Sequence, residues 1–329
     1  MNIKHTDWAL EHLEDHLQAA VDLELWTIPF YMSAMYSIKD RESDAYQLIR
    51  TIINQEMLHL QCAANIANAY GFSPKITPPV YQGTKIPHLN FKLDPSEKTE
   101  PYMPYTAEIG PLDLKHINGM CLVELPEFDP PPLEILLESL INEYSTIGAF
   151  YDALRFGASL LKGHIKGGVR QVDYFSAFYR NMPNMTVTES GGAGFDQISL
   201  LIDLITDQGE GQCKKDPTVP SVFQNTADDT EPSEDHFVKF NQIKDAGGPD
   251  GCKLPETFST KPVSEYTPED IQLQNILVKQ FGQLTQLLES LFRGENPDNF
   301  FPVMASVGGA LRNCWEHGVT PKFSETNQH

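Results

Sequence analysis

The stretch IINQEMLHLQCAANI, residues 52–66, sets a carboxylate and an imidazole, Glu56 and His59, inside an apolar, helix-forming run. Counting outward along the same segment gives the seam Ala45, Ile49, Ile52, Glu56, His59, Ala63, Ile66, Tyr70, spaced alternately four and three residues apart. That spacing is the repeat of a core-facing helical stripe, so both polar groups are expected to point inward. A buried carboxylate without a partner is costly, and two such groups in register call for a compensating charge.

Two other segments supply the same kind of residue. From about Thr6 to Ile38 the stripe Leu10, Leu13, Leu17, Val21, Ile28, Tyr31 has helical period and carries Glu24, with Pro29 expected to break the hydrogen-bond ladder and kink the helix. From about Pro132 to Lys162 the stripe Leu136, Leu140, Glu143, Ile147, Phe150, Leu154, Ala158, Leu161 has Glu143 as its one ionisable member. Three inward carboxylates and an inward histidine on three helices would repel or stay unpaired in a dry core unless a cation joined them. Carboxylate-bridged iron or manganese in a four-helix bundle is the usual solution, with a Glu from each of two helices and a Glu-x-x-His from each of the other two. An isolated Glu-x-x-His on a helix is more often surface chemistry, so the weight rests on its coincidence with Glu24 and Glu143.

A second Glu-x-x-His is absent at the expected place. The fourth helix is expected to run from Phe195 to about Gly209, pass through a loop over 211–232, and restart at Ser233 as N-cap. Glu210 then ends one piece and His236 sits on the first turn of the next, with Asp203, Asp207 and Glu234 as rival carboxylates. His236 could equally serve only the helix start. Glu124 and Glu127, in CLVELPEF, are read first as turn residues accepting backbone hydrogen bonds, with an approach to the site from the crossover as the alternative, and Tyr31, Tyr36, Tyr144 and Tyr151 as core or bundle-edge aromatics before redox-active or substrate-facing phenols. No constellation surrounds His12, His16, His164 or His317.

The remaining organisation is helical with long excursions. The second helix is expected from Ser43 to Tyr70, stopped by Gly71 and Pro74. Residues 71–132 are proline-rich and lack helical period, which suggests an ordered crossover with a short strand or two. After a Gly/Pro stretch over 245–268, two more helices are expected at about 268–293 and 298–317. The division is a bundle over 1–245 and a C-terminal helical extension over 246–329 packed on it.

The balance of 45 acidic against 24 basic side chains, a formal charge of −21, argues against nucleic acid and anionic membrane surfaces as partners. Five cysteines without a CxxC pair argue against a disulfide framework or a cysteine zinc site. No apolar run is long enough for a membrane span, so a cytoplasmic protein is expected, and a homo-oligomer is compatible with everything above.

The segments LELWTIPFYMSAMYSI, NQEMLHLQCAANIANAYGFSP, LVELPEF, NEYSTIGAFYDAL, DQGEG and DHFVKFNQI, in that order over roughly residues 10–245, resemble the bacterial ferritin-like family related to iminophenyl-pyruvate dimer synthase of the violacein pathway. The resemblance implies an all-α, ferritin-like four-helix bundle with a dinuclear metal site, and it supports Glu210 and His236 as the split replacement for the second Glu-x-x-His. The expected ligand set is Glu24, Glu56, His59, Glu143, Glu210 and His236, holding two iron ions or an iron and a manganese about 3.5–4 Å apart. The expected activity is a dioxygen-dependent oxidase or oxygenase of a small organic substrate in a biosynthetic pathway. Two alternatives stand beside it: iron binding with ferroxidase activity and no organic turnover, and a non-catalytic pathway partner with a degenerate site.

Overall fold

The computed structural model describes residues 8–93, 96–127, 144–209 and 218–325. Among them there is no strand, only isolated bridges such as Ile38 with Thr257 and Leu89 with Tyr144. The helices that matter here are α1 (Leu10–Ser37), α2 (Asp44–Ala69), α3 (Leu114–Val123), α4 (Ile147–Leu160), α5 (Gly191–Gln208), α6 (His236–Gly247), α7 (Pro268–Phe292) and α8 (Phe300–Glu316).

A short loop turns α1 back on α2, and Thr27, midway along α1, meets Glu56, midway along α2, so the pair is antiparallel. Helix α5 packs on α2, α4 packs on α5, and α4 returns to α1, which closes a four-helix ring whose helices carry the fully buried Leu17, Ile52, Phe150 and Ile202. Burying such side chains contributes about 1.5–3 kcal/mol each. Helices α3 and α6 pack on each other and α6 also lies on α2, while the α7–α8 hairpin leans on α2 and α1. That docking is anchored by Trp315 Nε1 donating to the Ser33 carbonyl at 3.0 Å and Asn68 Nδ2 donating to the Phe292 carbonyl at 2.8 Å.

The helix ends follow local chemistry. Ser43 caps α2 by accepting from the Tyr46 amide, and Gly71 beyond its end takes the positive φ of +83° that stops it. Thr267 and Asp270 form a reciprocal capping box on α7, with Pro268 in its first turn. Helix α1 continues through Pro29.

Three expectations are corrected. The crossover was expected to hold strands; instead it holds α3, started by Asp113, whose carboxylate accepts from the Lys115 and His116 amides. The apolar run MCLVEL straddles the end of that ten-residue helix, which is too short to show a sustained period. Gly119 within it lies so close to the chain that a Cβ would meet the Thr106 carbonyl oxygen at 2.5 Å. The third expected helix does not run unbroken from 132 to 162: Tyr144 pairs in extended form with Leu89, and Thr146, at φ −139° and ψ 164°, caps a new helix at Ile147. The reason is the Thr146 hydroxyl, which accepts from the Ala149 amide at 3.1 Å and donates to Glu127 at 2.8 Å. The last helix of the core pair restarts at His236 and not at Ser233, because Asp235 accepts from the Val238 amide at 2.8 Å.

Candidate metal centre

Glu24 of α1 and Glu56 and His59 of α2 face one another inside the bundle, with relative exposures of 3, 2 and 1%. His236, the first residue of α6, joins them at 0%, and Glu124, the residue that ends α3, at 2%. Of the six residues expected to bind metal, Glu24, Glu56, His59 and His236 therefore come together, and Glu143 and Glu210 lie outside the described residues. The rival carboxylates stand elsewhere: Asp203 pairs with Arg155 at 2.6 Å, and Asp207 and Glu234 are only half-buried.

The spacing of the donor atoms suits ligands that share an ion. Nδ1 of His59 stands 3.8 Å from Glu24 Oε2 and 3.8 Å from Glu56 Oε1, beyond hydrogen-bond reach. Nδ1 of His236 lies 2.9 Å from Glu56 Oε1 and 3.5 Å from Glu124 Oε1. Despite that proximity, it has no hydrogen bond, because neither oxygen lies in the direction of a ring N–H. Glu56, His59 and His236 each offer one ligand atom, all within 4.8 Å of one another. Donors each about 2.0–2.2 Å from one ion stand roughly 3–4 Å apart, so the set fits a bound cation.

Each polar group is held from outside the cluster. Thr27 Oγ1 donates to Glu56 Oε2 at 2.6 Å, Tyr151 Oη to Glu24 Oε1 at 2.5 Å, and Tyr31 Oη to Glu124 Oε1 at 2.5 Å. Nε2 of His59 meets Gln208 Oε1 at 3.0 Å and Nε2 of His236 meets Gln55 Oε1 at 2.9 Å. Amide oxygens only accept, so both imidazoles donate from Nε2 and, when neutral, turn the Nδ1 lone pair toward the carboxylates. The two rings stack at 5.4 Å between centroids and 25° between planes.

The electrostatics show what these groups do without a cation. Burial, then the Glu56 charge, pushes the Glu24 carboxyl well above the usual range, against the Tyr151 hydrogen bond. Burial also raises Glu56, opposed by His236. Burial, with His236 beside it, pulls His59 down to about 3. For His236 burial again acts downward, but Glu124 and Glu56 outweigh it and lift the ring to about 9. Three buried carboxylates thus face one basic imidazole, and a divalent cation would supply the charge that protons otherwise must.

Glu124 is the site residue that the sequence reading set aside. It sits at the end of a helix too short to display a seam, so only its nearness to buried polar neighbours could have raised it. Tyr31 and Tyr151, expected as plain core aromatics, prove to be buried donors to two of the carboxylates.

A four-helix ring with an internal carboxylate–histidine cluster defines the ferritin-like class of proteins. The chain belongs to the Ferritin-like family, whose profile matches residues 17–245. It is similar over nearly its whole length to a ferritin like protein from Caulobacter vibrioides known from a crystal structure: 38% identity, 96% of this chain and 99% of that one covered, TM-score 0.79. No curated protein matches the chain. No helix among the described residues is long and apolar enough to cross a membrane.

Proposed function

We propose that the protein is a non-haem di-metal oxidase or oxygenase, using two irons or an iron and a manganese to oxidise a small organic substrate in a biosynthetic pathway. The observation that carries this reading is the buried convergence of ligand atoms from Glu56, His59 and His236, with Glu24 and Glu124 beside them, in a ferritin-like bundle. Such a donor set, imidazole with carboxylate, suits iron and manganese.

Glu24, Glu56, Glu124, His59 and His236 would hold the metals, with Glu143 and Glu210 as further ligands proposed from the sequence. Bound iron or manganese supplies open coordination positions and redox electrons for dioxygen. The chain's own residues do the rest. Tyr151 pins Oε1 of Glu24 and leaves Oε2 toward His59, whereas Tyr31 donates to the same Glu124 oxygen that lies 3.5 Å from His236 Nδ1 and so fixes that oxygen in place. The raised Glu24 carboxyl can hold a proton at Oε2 when its neighbours are charged. Near-complete burial keeps bulk water from the reacting groups. The resemblance to the family related to iminophenyl-pyruvate dimer synthase favours oxidative coupling or tailoring chemistry, with dioxygen as co-substrate.

The test is oxygen consumption by protein reconstituted with Fe(II), or with Fe(II) and Mn(II), against a panel of small aromatic and amino-acid-derived substrates. Substrate-dependent uptake with a defined organic product supports the proposal. Uptake that depends only on added Fe(II), with no organic product from any candidate, favours ferroxidase activity.

A further inference from the structure

The two histidines are oriented by glutamines on different helices, Gln55 on α2 and Gln208 at the end of α5, and both glutamines are tied to one loop. Gln55 Nε2 donates to Thr226 Oγ1 at 3.0 Å and to Asp229 Oδ2 at 3.2 Å. Gln208 Nε2 donates to the Phe223 carbonyl at 2.8 Å and to the same Thr226 Oγ1 at 3.3 Å. Asp229 is held in turn by Lys239 Nζ at 2.9 Å, an ion pair whose side chains are 0 and 1% exposed.

We propose that Thr226, with Phe223 and Asp229 beside it, is a positioning clamp that orients both imidazoles at once through the amides of Gln55 and Gln208. The chemistry of the acceptors gives the clamp its direction. The Phe223 carbonyl can only accept, and the Asp229 carboxylate, which already accepts a hydrogen bond from Lys239, can only accept as well. Each amide must therefore present NH2 to the loop and its oxygen to the histidine. Reversing either amide would set its oxygen against the Phe223 carbonyl or the Asp229 carboxylate, leaving buried acceptors unpaired. The result is an Nε2–H on both rings and both Nδ1 atoms facing the carboxylates. Docking of the loop 218–235 thereby becomes a condition for a competent site, because one hydroxyl spans the outer partners of ligands on two elements. Why the orientation matters rests on the metal reading above; the orientation itself does not.

The test separates the two. Ring-15N histidine NMR on the metal-free full chain is expected to show protonated Nε2 on His59 and His236, with slow solvent exchange. Gln208→Met should shift only the His59 signal, Gln55→Met only that of His236, and Thr226→Val both, with Thr226→Ser restoring both. A His59 proton on Nδ1 in the wild type, or both signals unmoved in Thr226→Val, would overturn the clamp. Circular dichroism checks the fold, and if Thr226→Val does not fold, the two glutamine variants decide: signals that stay in place in both overturn the inference. In a parallel Co(II) titration, Thr226→Val should bind about tenfold or more weakly, with Thr226→Ser near wild type. Equal affinity of Thr226→Val and a Co(II)-binding wild type would also overturn it. A wild type that takes up no Co(II) counts against the metal reading alone, and the NMR result then settles the clamp.

Discussion

Nδ1 of His236 lies 2.9 Å from Oε1 of Glu56, yet the two do not form a hydrogen bond. Residues 180 positions apart in the chain are brought together on α6 and α2 with the imidazole turned between two carboxylates, whose charge favours either a proton on the ring or a shared cation. His236→Ala should therefore weaken Mn(II) binding by at least the 10–100-fold typical of an outer-shell loss. Calorimetric titration of the two proteins checks it; equal affinities would remove His236 from the ligand set.

Tyr151→Phe deletes the hydroxyl that donates to Glu24 and leaves a buried carboxyl oxygen without that bond. The metal-free variant should lose about 1–3 kcal/mol of stability. In urea denaturation this appears as a lower midpoint with an unchanged slope.

Lys239 and Asp229 form a buried pair, so removing one partner strands the other charge. Lys239→Met should cost about 3–5 kcal/mol, whereas Lys239→Met with Asp229→Leu should recover most of that loss. Denaturant midpoints of the single and double variants decide. The double variant should still bind metal poorly, because Gln55 has lost one of its two acceptors.

Acid stability depends in part on His16, outside the metal centre. Its Nδ1 donates to the His12 carbonyl at 2.8 Å, so its Nε2 accepts from Tyr144 Oη at 2.8 Å and the ring is neutral. Burial is the main cause that lowers it from 6.5 to about 4. Between those values the unfolded chain binds a proton that the native chain does not. Its contribution is therefore whole above pH 6.5, declines as pH falls toward 4, and levels off below. The loss amounts to up to about 3 kcal/mol, and His16→Gln should flatten that part of the stability profile. An unchanged slope in the variant would assign the acid loss to other groups.

The legible part of the molecule was the part governed by local spacing. The four-three seam of α2 and its Gly71 stop are set within one helix, and Glu56 and His59 could be placed from that seam and Glu24 from the stripe of α1. His236 was placed only on the first turn of an interrupted helix with Ser233 as its cap, whereas it is the first residue of that helix and Asp235 is the cap. The seam drawn through Glu143 assumed a continuous helix, but the Thr146 hydroxyl ends that continuity through contacts with Ala149 and Glu127. Glu124 was set aside because a turn residue's reach into the core depends on how α3 packs against α6, which no periodicity records. Gln55 and Gln208 escaped for the same reason: their role exists only once the loop carrying Thr226 docks.

Metal binding by this cluster is read by anaerobic reconstitution with Fe(II) or Mn(II), removal of free ions, and metal analysis per chain. About two ions are expected per wild-type chain, falling toward zero in Glu56→Ala and His59→Ala. Wild-type stoichiometry near zero after reconstitution, or undiminished metal in both variants, would contradict it.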